Sequence, residues 1–263
     1  MGTMSDASAV RGHLWVVGLG PGDLAWRTPE ASAALAAADH IVGYETYVQM
    51  AGPFRPDQTL HGSDNRVELD RARHAFTLAA QGARVAVVSS GDPGVFAMAS
   101  AVLEALDGAS DPAWHAVELT IVPGLTAAQA AAARVGAPLG HDFCLLSLSD
   151  NLKPWEVIEN RLVHATAGDF VMAFYNPISK ARPWQLGRAF EIVRAHRTGE
   201  AVVVLGRDIG RPDERIRLTT LADVRPEDVD MRTVVLIGSS TTRLIPRPEG
   251  GEAWVYTPRF YGK

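Results

Sequence analysis

Residues 85–88, Val-Ala-Val-Val, form an apolar, largely β-branched run that leaves the polar turn Gln81-Gly82-Ala83-Arg84 and stops at Ser89-Ser90-Gly91-Asp92-Pro93-Gly94. Downstream, Phe96, Ala99, Val102, Leu103 and Leu106 recur at helical spacing, so the stretch predicts strand, tight loop and helix in succession. Such a unit belongs to an open α/β sheet, where small molecules settle beyond the carboxyl ends of the strands. The glycines let main chain approach a ligand closely, Pro93 stiffens the loop, and Asp92 offers a carboxylate to hydroxyl or ammonium groups. An ordinary Asp-Pro-Gly turn is the alternative reading of the same residues.

The pattern also occurs earlier. An apolar strand at 13–17 runs into Gly18-Leu19-Gly20-Pro21-Gly22-Asp23, and Thr28-Pro29-Glu30 then opens an alanine-rich helix through Ala38, with Pro29 in its first turn. Gly18-Leu19-Gly20 begins a dinucleotide-type G-x-G-x-x-G, but Asp23 stands at the third glycine and a proline follows the second. The helix starts too late to aim its amino end at a pyrophosphate. Asp39 precedes the next strand, at 41–42, where a ribose-binding carboxylate would follow it. A dinucleotide-dependent oxidoreductase is therefore a rival reading only.

Residues 43–47 are expected to close the second strand, 52–66 to form a polar loop, 67–82 a helix and 117–122 a strand that leads into Pro123-Gly124-Leu125-Thr126. The alanine-dense helix at 127–135 is too small-sided for an exposed amphipathic helix and predicts close packing. Residues 136–141 gather four chain breakers and read as the bridge between two lobes. The second half restarts with a buried strand at 143–149, a helix at 156–164, a strand at 169–175 and a helix at 184–196. Strands follow at 201–205, 216–218 and 233–238. Few helices separate these later strands, which predicts a mixed sheet with antiparallel pairs. The expected organisation is a flexible tail at 1–11, an α/β lobe with a mostly parallel sheet at 12–138, a second α/β lobe at 139–245 and a tail at 246–263.

Composition removes several function classes. A net charge of −5 argues against binding driven by phosphate neutralisation. The single cysteine, Cys144, rules out an intramolecular disulfide, and none of the eight histidines pairs with another at the spacing of a zinc-binding helix. No run approaches the roughly 18 apolar residues of a membrane span, and no signal-peptide core precedes residue 12. A cytoplasmic protein with no metal centre of its own is expected.

Five loops now stand in order: Gly18 to Asp23, Ser90-Gly91-Asp92-Pro93-Gly94, Pro123-Gly124-Leu125-Thr126-Ala127, Phe174-Tyr175-Asn176-Pro177 and Arg211-Pro212-Asp213-Glu214. The set resembles the tetrapyrrole methylase family from about His13 to Ser239. That resemblance implies a two-lobed class III methyltransferase fold that uses S-adenosyl-L-methionine, releases S-adenosyl-L-homocysteine and works as a homodimer. Two stretches, Leu146-Ser147-Leu148-Ser149-Asp150-Asn151-Leu152-Lys153-Pro154-Trp155 and Tyr175-Asn176-Pro177-Ile178-Ser179-Lys180-Ala181-Arg182, are most similar to members that methylate a ring carbon and contract the macrocycle. Val67-Glu68-Leu69-Asp70-Arg71-Ala72 and Thr257-Pro258-Arg259 add to the likeness. Metal-free and cobalt-containing substrates stay open, as does a non-catalytic tetrapyrrole carrier.

Carried over by position, the resemblance implies donor contacts at Pro21, Gly91, Asp92, Pro93, Val95, Met98, Thr126, Ala127, Tyr175, Ile209 and Thr233. The carboxylate and lysine proposed for proton transfer in related methylases fall near Tyr44-Glu45 and Ser63 here, so the lysine is absent. Candidates for proton transfer are Tyr175, Lys180, Asp150 and Glu45. The macrocycle's carboxylates call for local positive charge in a net-acidic chain, and Arg66, Arg71, Lys153, Lys180 and Arg182 are available, with Arg259 further along. Each has a plainer alternative: a solvated surface charge, or for Asp150 a turn or helix cap. Trp155 and Trp184 suit either the ring face or the core. His61 and His141, on predicted loops, are weighed as ligands for a metal carried by the substrate.

Overall fold

The computed structural model describes residues 12–64, 67–248 and 250–261. The tail expected at 1–11 and Arg66 lie outside them. The chain divides into two compact units between Thr126 and Ala127.

The first unit runs β1 (His13–Gly18), α1 (Pro29–Ala37), β2 (His40–Tyr44), α2 (Glu45–Ala51), β3 (Thr59–Ser63), α3 (Glu68–Ala80), β4 (Arg84–Ser89), α4 (Met98–Asp107), α5 (Pro112–His115) and β5 (Glu118–Val122). Its five strands are ordered β3-β2-β4-β1-β5, every pair parallel. Both sheet faces are covered, which explains why the central strands are almost continuously apolar. Leu14 and Val16 of β1 and Val85 and Val87 of β4 face α3 and α4, where Phe76 is fully buried and stacks on Trp114 at 5.1 Å. Val17, Ala86 and Val88 face α1 and α2.

Two elements here depart from the sequence reading. Residues 45–51 are helix α2, not the end of a strand, and residues 59–63 are an edge strand inside the stretch read as loop. Long-range hydrogen bonds order that stretch. Arg27 donates to the carbonyls of Met50, Ala51 and Gly52 at the carboxyl end of α2. Gln58 does the same for Leu35 and Ala38 at the end of α1, answering carbonyls that a helix leaves unpaired. Thr28 caps the other end of α1, as expected, by accepting from the Ala31 N–H.

The second unit runs α6 (Ala127–Val135), β6 (Gly136–Ala137), β7 (Phe143–Ser147), α7 (Trp155–Ala167), β8 (Val171–Tyr175), α8 (Gln185–Arg194), β9 (Val202–Arg207), β10 (Arg215–Thr220), β11 (Thr233–Ile237), β12 (Arg243–Ile245) and β13 (Trp254–Tyr256). Its main sheet is ordered β10-β9-β11-β8-β7, with β7-β8 parallel and the remaining pairs antiparallel, the mixed sheet that the sequence predicts. One face carries α7 and α8 around Phe174, Phe190 and Leu162. Alanine-rich α6 packs against β11, and its small side chains allow contact close enough that a Cβ on Gly206 would lie 3.0 Å from the Cβ of Ala131. This packing groups α6 with the second unit, where the sequence reading had closed the first lobe after residue 138. β7 is an edge strand with Phe143 exposed, not a buried one, because no strand among the described residues pairs beyond it. Residues 136–137, read as a bridge, pair with β13, and β13 itself forms within the stretch expected to be a tail. No helix among the described residues is long and apolar enough to cross a membrane.

Candidate functional site

In the first unit, three loops meet at the carboxyl ends of the adjacent strands β4, β1 and β5. Gly20 and Gly91 exchange main-chain hydrogen bonds of 3.1 and 2.7 Å, and both adopt left-handed backbone conformations, with φ of 73° and 72°. A Cβ on Gly124 would fall 2.2 Å from the Gly91 carbonyl oxygen, and one on Gly18 would fall 2.7 Å from it. Side chains are excluded by geometry, and main chain forms the floor.

Asp92 locks this arrangement. Its Oδ1 accepts from the Gly94 N–H at 2.8 Å and its Oδ2 from the Gly124 N–H at 3.0 Å, so one carboxylate ties the β4 loop to the β5 loop. The sequence reading left Asp92 open between a ligand contact and an ordinary Asp-Pro-Gly turn; in the fold each oxygen already serves the chain. Pro21, Pro93 and Thr126 are buried on these loops and Gly91 and Val95 partly so. Met98, also buried, opens α4 by donating its N–H to the Ser89 hydroxyl. Phe96 does not belong to the helical face on which the sequence set it. It precedes α4 with φ of 55° and is 49% exposed, a strained conformation for a bulky residue. Leu103 of the same predicted face is 49% exposed as well.

In the second unit, the Tyr175 hydroxyl accepts a 2.8 Å hydrogen bond from the Ala128 N–H, which brings the end of β8 to the first turn of α6 and hence to Ala127. Ile209 is buried beside Gly206, and Asp208 before it has φ of 50°. Thr233 pairs in register with Arg207 across β11 and β9, and its hydroxyl donates to Asp230 at 2.9 Å. The four donor-contact candidates of this half therefore gather around α6 and the adjoining strand ends.

A second cluster follows β7 and β8. Asn176, with φ of 50°, donates to the buried Ser147 hydroxyl at 3.0 Å. Arg182 is 6% exposed, and its guanidinium holds the carbonyl of Asn176 at 2.9 Å and the sulfur of Met231 at 3.5 Å. Burial lowers its pKa and the nearby Asp150 charge opposes that shift. Asp150 caps no helix: its carboxylate accepts from the Gln185 side chain at 2.9 Å. Gln185 itself is 2% exposed. Lys153 donates to the Ser149 carbonyl at 3.2 Å, and burial followed by Arg161 lowers its pKa, again opposed by Asp150. Lys180 is exposed. Trp155 and Trp184 pack edge to face at 4.9 Å, with Trp184 half exposed.

The remaining candidates lie on other elements. Glu45 opens α2, accepts from Gln49 at 2.9 Å, and lies so near β3 that a Cβ on Gly62 would clash with its carboxylate. Arg71 is buried on α3, donating to the Ser63 hydroxyl at 3.0 Å and the Asp64 carbonyl at 2.6 Å. His61 belongs to β3 instead of a loop and bonds to two other histidines. His141 accepts from the Asp142 N–H at 2.7 Å. Among the described residues no cluster of His, Cys, Asp or Glu is arranged to hold a metal ion. Gln185 and Ser147 escaped the sequence reading because an isolated polar residue carries no sign of burial until its tertiary partners are known.

The profile of the tetrapyrrole (corrin/porphyrin) methylases matches residues 13–225. A precorrin-3B C(17)-methyltransferase from a Sinorhizobium species is 56% identical over 95% of this chain and 97% of its own length. A probable cobalt-factor III C(17)-methyltransferase from Salmonella typhimurium is 42% identical over 94% of this chain and 99% of its own. Among solved structures, the crystal structure of the methyltransferase CobJ superposes with a TM-score of 0.88 at 54% identity, covering 94% of this chain and all of that one.

Proposed function

The chain belongs to the tetrapyrrole (corrin/porphyrin) methylases, and on that premise we propose that it transfers a methyl group from S-adenosyl-L-methionine to ring carbon 17 of precorrin-3B and contracts the ring to give precorrin-4 in cobalamin biosynthesis. The observation that carries this reading is the 56% identity to a precorrin-3B C(17)-methyltransferase over 95% of the chain. Relatives named for cobalt-factor III, at 42% and 39% identity, favour a second reading, the same reaction on the cobalt-containing substrate.

The glycine floor suits the donor, because Gly18 and Gly124 leave no room for a Cβ and Gly91 holds a left-handed backbone, so that a flat nucleoside would press on main chain. S-adenosylmethionine supplies a methyl group on a sulfonium leaving group, so the protein's task is chiefly alignment. Pro21, Gly91, Pro93, Val95, Met98, Thr126, Ala127, Tyr175, Ile209 and Thr233 take that task, while Asp92 acts through the loops it ties. Contraction requires a ring hydroxyl to lose its proton as a carbon–carbon bond migrates. Asp150, steadied by Gln185, is our first candidate for the proton acceptor, ahead of Tyr175 and Glu45, with Lys180 the candidate cation; such assistance contributes about 100- to 10,000-fold. Lys153 and Lys180 pair with the peripheral carboxylates. Arg182 acts indirectly, since its guanidinium is committed to its own main chain. The protein works as a cytoplasmic homodimer.

Incubating the purified chain with donor and each substrate tests the reading. Turnover of precorrin-3B is expected; turnover of the cobalt form alone transfers the conclusion to the second reading, and turnover of neither overturns both.

A further inference from the structure

The first unit holds a second polar centre, on α3 and the sheet edge it covers. His40 and His61 stand two positions apart in the β2–β3 register and so share a sheet face. His40 Nδ1 lies 3.0 Å from His61 Nε2, and His61 Nδ1 lies 3.1 Å from His74 Nε2 on α3, making a continuous row of imidazoles. Three neutral rings carry three hydrogens on six nitrogens. Two of those hydrogens bridge the two contacts, and the third sits at one end of the row. One added proton fills the other end and leaves both contacts intact; a second would break one of them. The row is built to take a single proton.

A cavity of about 460 Å³ opens beside it, lined in part by His61, Ser63, Asp70, Arg71 and His74. Arg71 brings a fixed positive charge that is 4% exposed, and it donates to neutral acceptors: the Ser63 hydroxyl, the Asp64 carbonyl and the Met98 sulfur. Other charges face the row and cavity. Asp70 on the wall is paired with Arg73 at 2.8 Å, Glu68 acts on Arg71, and Asp39, beside His40, is paired with Arg84. Asp70 and Asp39 thus have cationic partners of their own, while a guanidinium and a proton-accepting row meet at one cavity.

We propose that this cavity is a carboxylate-binding site whose occupation is coupled to the uptake of one proton by the His40–His61–His74 row. A carboxylate next to the exposed His74 favours the charged row, and by reciprocity the charged row favours the carboxylate. Burial first, then repulsion by His74 and His40, holds His61 below its ordinary pKa, which disfavours charge on the empty row, so that a bound carboxylate favours uptake of the proton. Affinity therefore falls about tenfold per pH unit above the row's own titration. The occupant is a free small carboxylate or a peripheral carboxylate of the macrocycle; the second source rests on the reading under Proposed function.

Calorimetric titration of the full chain with sodium succinate, in buffers of different ionisation enthalpy at about pH 7, tests the site without donor or turnover. The expected result is uptake of close to one proton per succinate, with binding about tenfold weaker one pH unit higher. His74→Gln, at an exposed position, removes the ring of the row that lines the cavity on α3, and is expected to lower the uptake and to weaken binding at least about tenfold near pH 6. Succinate binding without proton uptake, unchanged binding by His74→Gln, tighter binding of inorganic phosphate than of succinate, or no succinate binding at all overturns the proposal. The tetrapyrrole KM separates the sources. A raised KM in His74→Gln, with competition by succinate in the parent, identifies the macrocycle's carboxylate; an unchanged KM identifies a free anion.

Discussion

The Tyr175 hydroxyl accepts the N–H of Ala128 at 2.8 Å, so the last residue of β8 satisfies one of the four amide groups that the start of α6 leaves without a helical partner. A residue read from sequence as a ligand contact is also a structural tie. Tyr175→Phe removes the acceptor and leaves the N–H of the buried Ala128 unpaired, at a cost of about 1–3 kcal/mol. The expected outcome is a lower urea midpoint with an unchanged slope, together with a raised KM for S-adenosylmethionine. A raised KM without any loss of stability would contradict the tie.

Asp92 makes a sharper case, because both of its oxygens accept main-chain N–H groups, from Gly94 and from Gly124. Asp92→Asn presents an amide N–H₂ to one of these donors. Loss of about 1–3 kcal/mol is expected. At about 2–4 °C per kcal/mol for chains near this size, differential scanning calorimetry resolves the change. S-adenosylhomocysteine affinity should fall with it, since the β4 and β5 loops are no longer held together.

Gly124→Ala is expected to be worse than Asp92→Asn. The added Cβ would lie 2.2 Å from the Gly91 carbonyl oxygen, and main chain cannot step aside as a flexible side chain can. Titration with S-adenosylhomocysteine should show no binding in a protein that still folds; retained binding would mean that the loops part easily.

Phe96 offers a prediction of opposite sign. Its φ of 55° costs a bulky L-residue about 1–2 kcal/mol, and its 49% exposure limits what the ring returns through burial. Phe96→Gly should raise the melting temperature and lower activity, because strain kept at the loop proposed to hold the donor is retained for the ring's position. Lower stability in this variant would show that the ring is needed for packing.

Stability should also depend on pH through His61. Its folded pKa is depressed, chiefly by burial and then by His74 and His40, so the unfolded chain binds the proton more readily. The contribution is complete above the unfolded value of about 6.5 and is lost as pH falls through the folded value. Urea midpoints measured down from neutral pH should decline more steeply for the parent than for His61→Gln.

What the sequence discloses of this fold follows the strength of local signals. Residues 84–89 and 98–107 are legible because a β-branched run meets a glycine loop and then a helical repeat. The edge strand Thr59–Ser63 is not, since three of its five residues are exposed and Gly62 interrupts any alternation. β6, β12 and β13 are two or three residues long and form only when distant segments meet. Among site residues, the glycine loops are legible as close-approach points. The inward commitments of Asp92, Arg71 and Arg182 are not, because a charged residue in a loop reads the same whether it faces ligand or its own carbonyls.

Methyl transfer to one ring carbon with contraction leaves a distinct product, which a single-turnover reaction reveals. The purified chain is mixed with precorrin-3B and S-adenosylmethionine carrying an isotope-labelled methyl group, and the product is examined by nuclear magnetic resonance. The account predicts label on ring carbon 17 of a contracted macrocycle bearing an acetyl group, with one S-adenosylhomocysteine released for each. Label on another ring carbon, or an uncontracted ring after full release of S-adenosylhomocysteine, would contradict it.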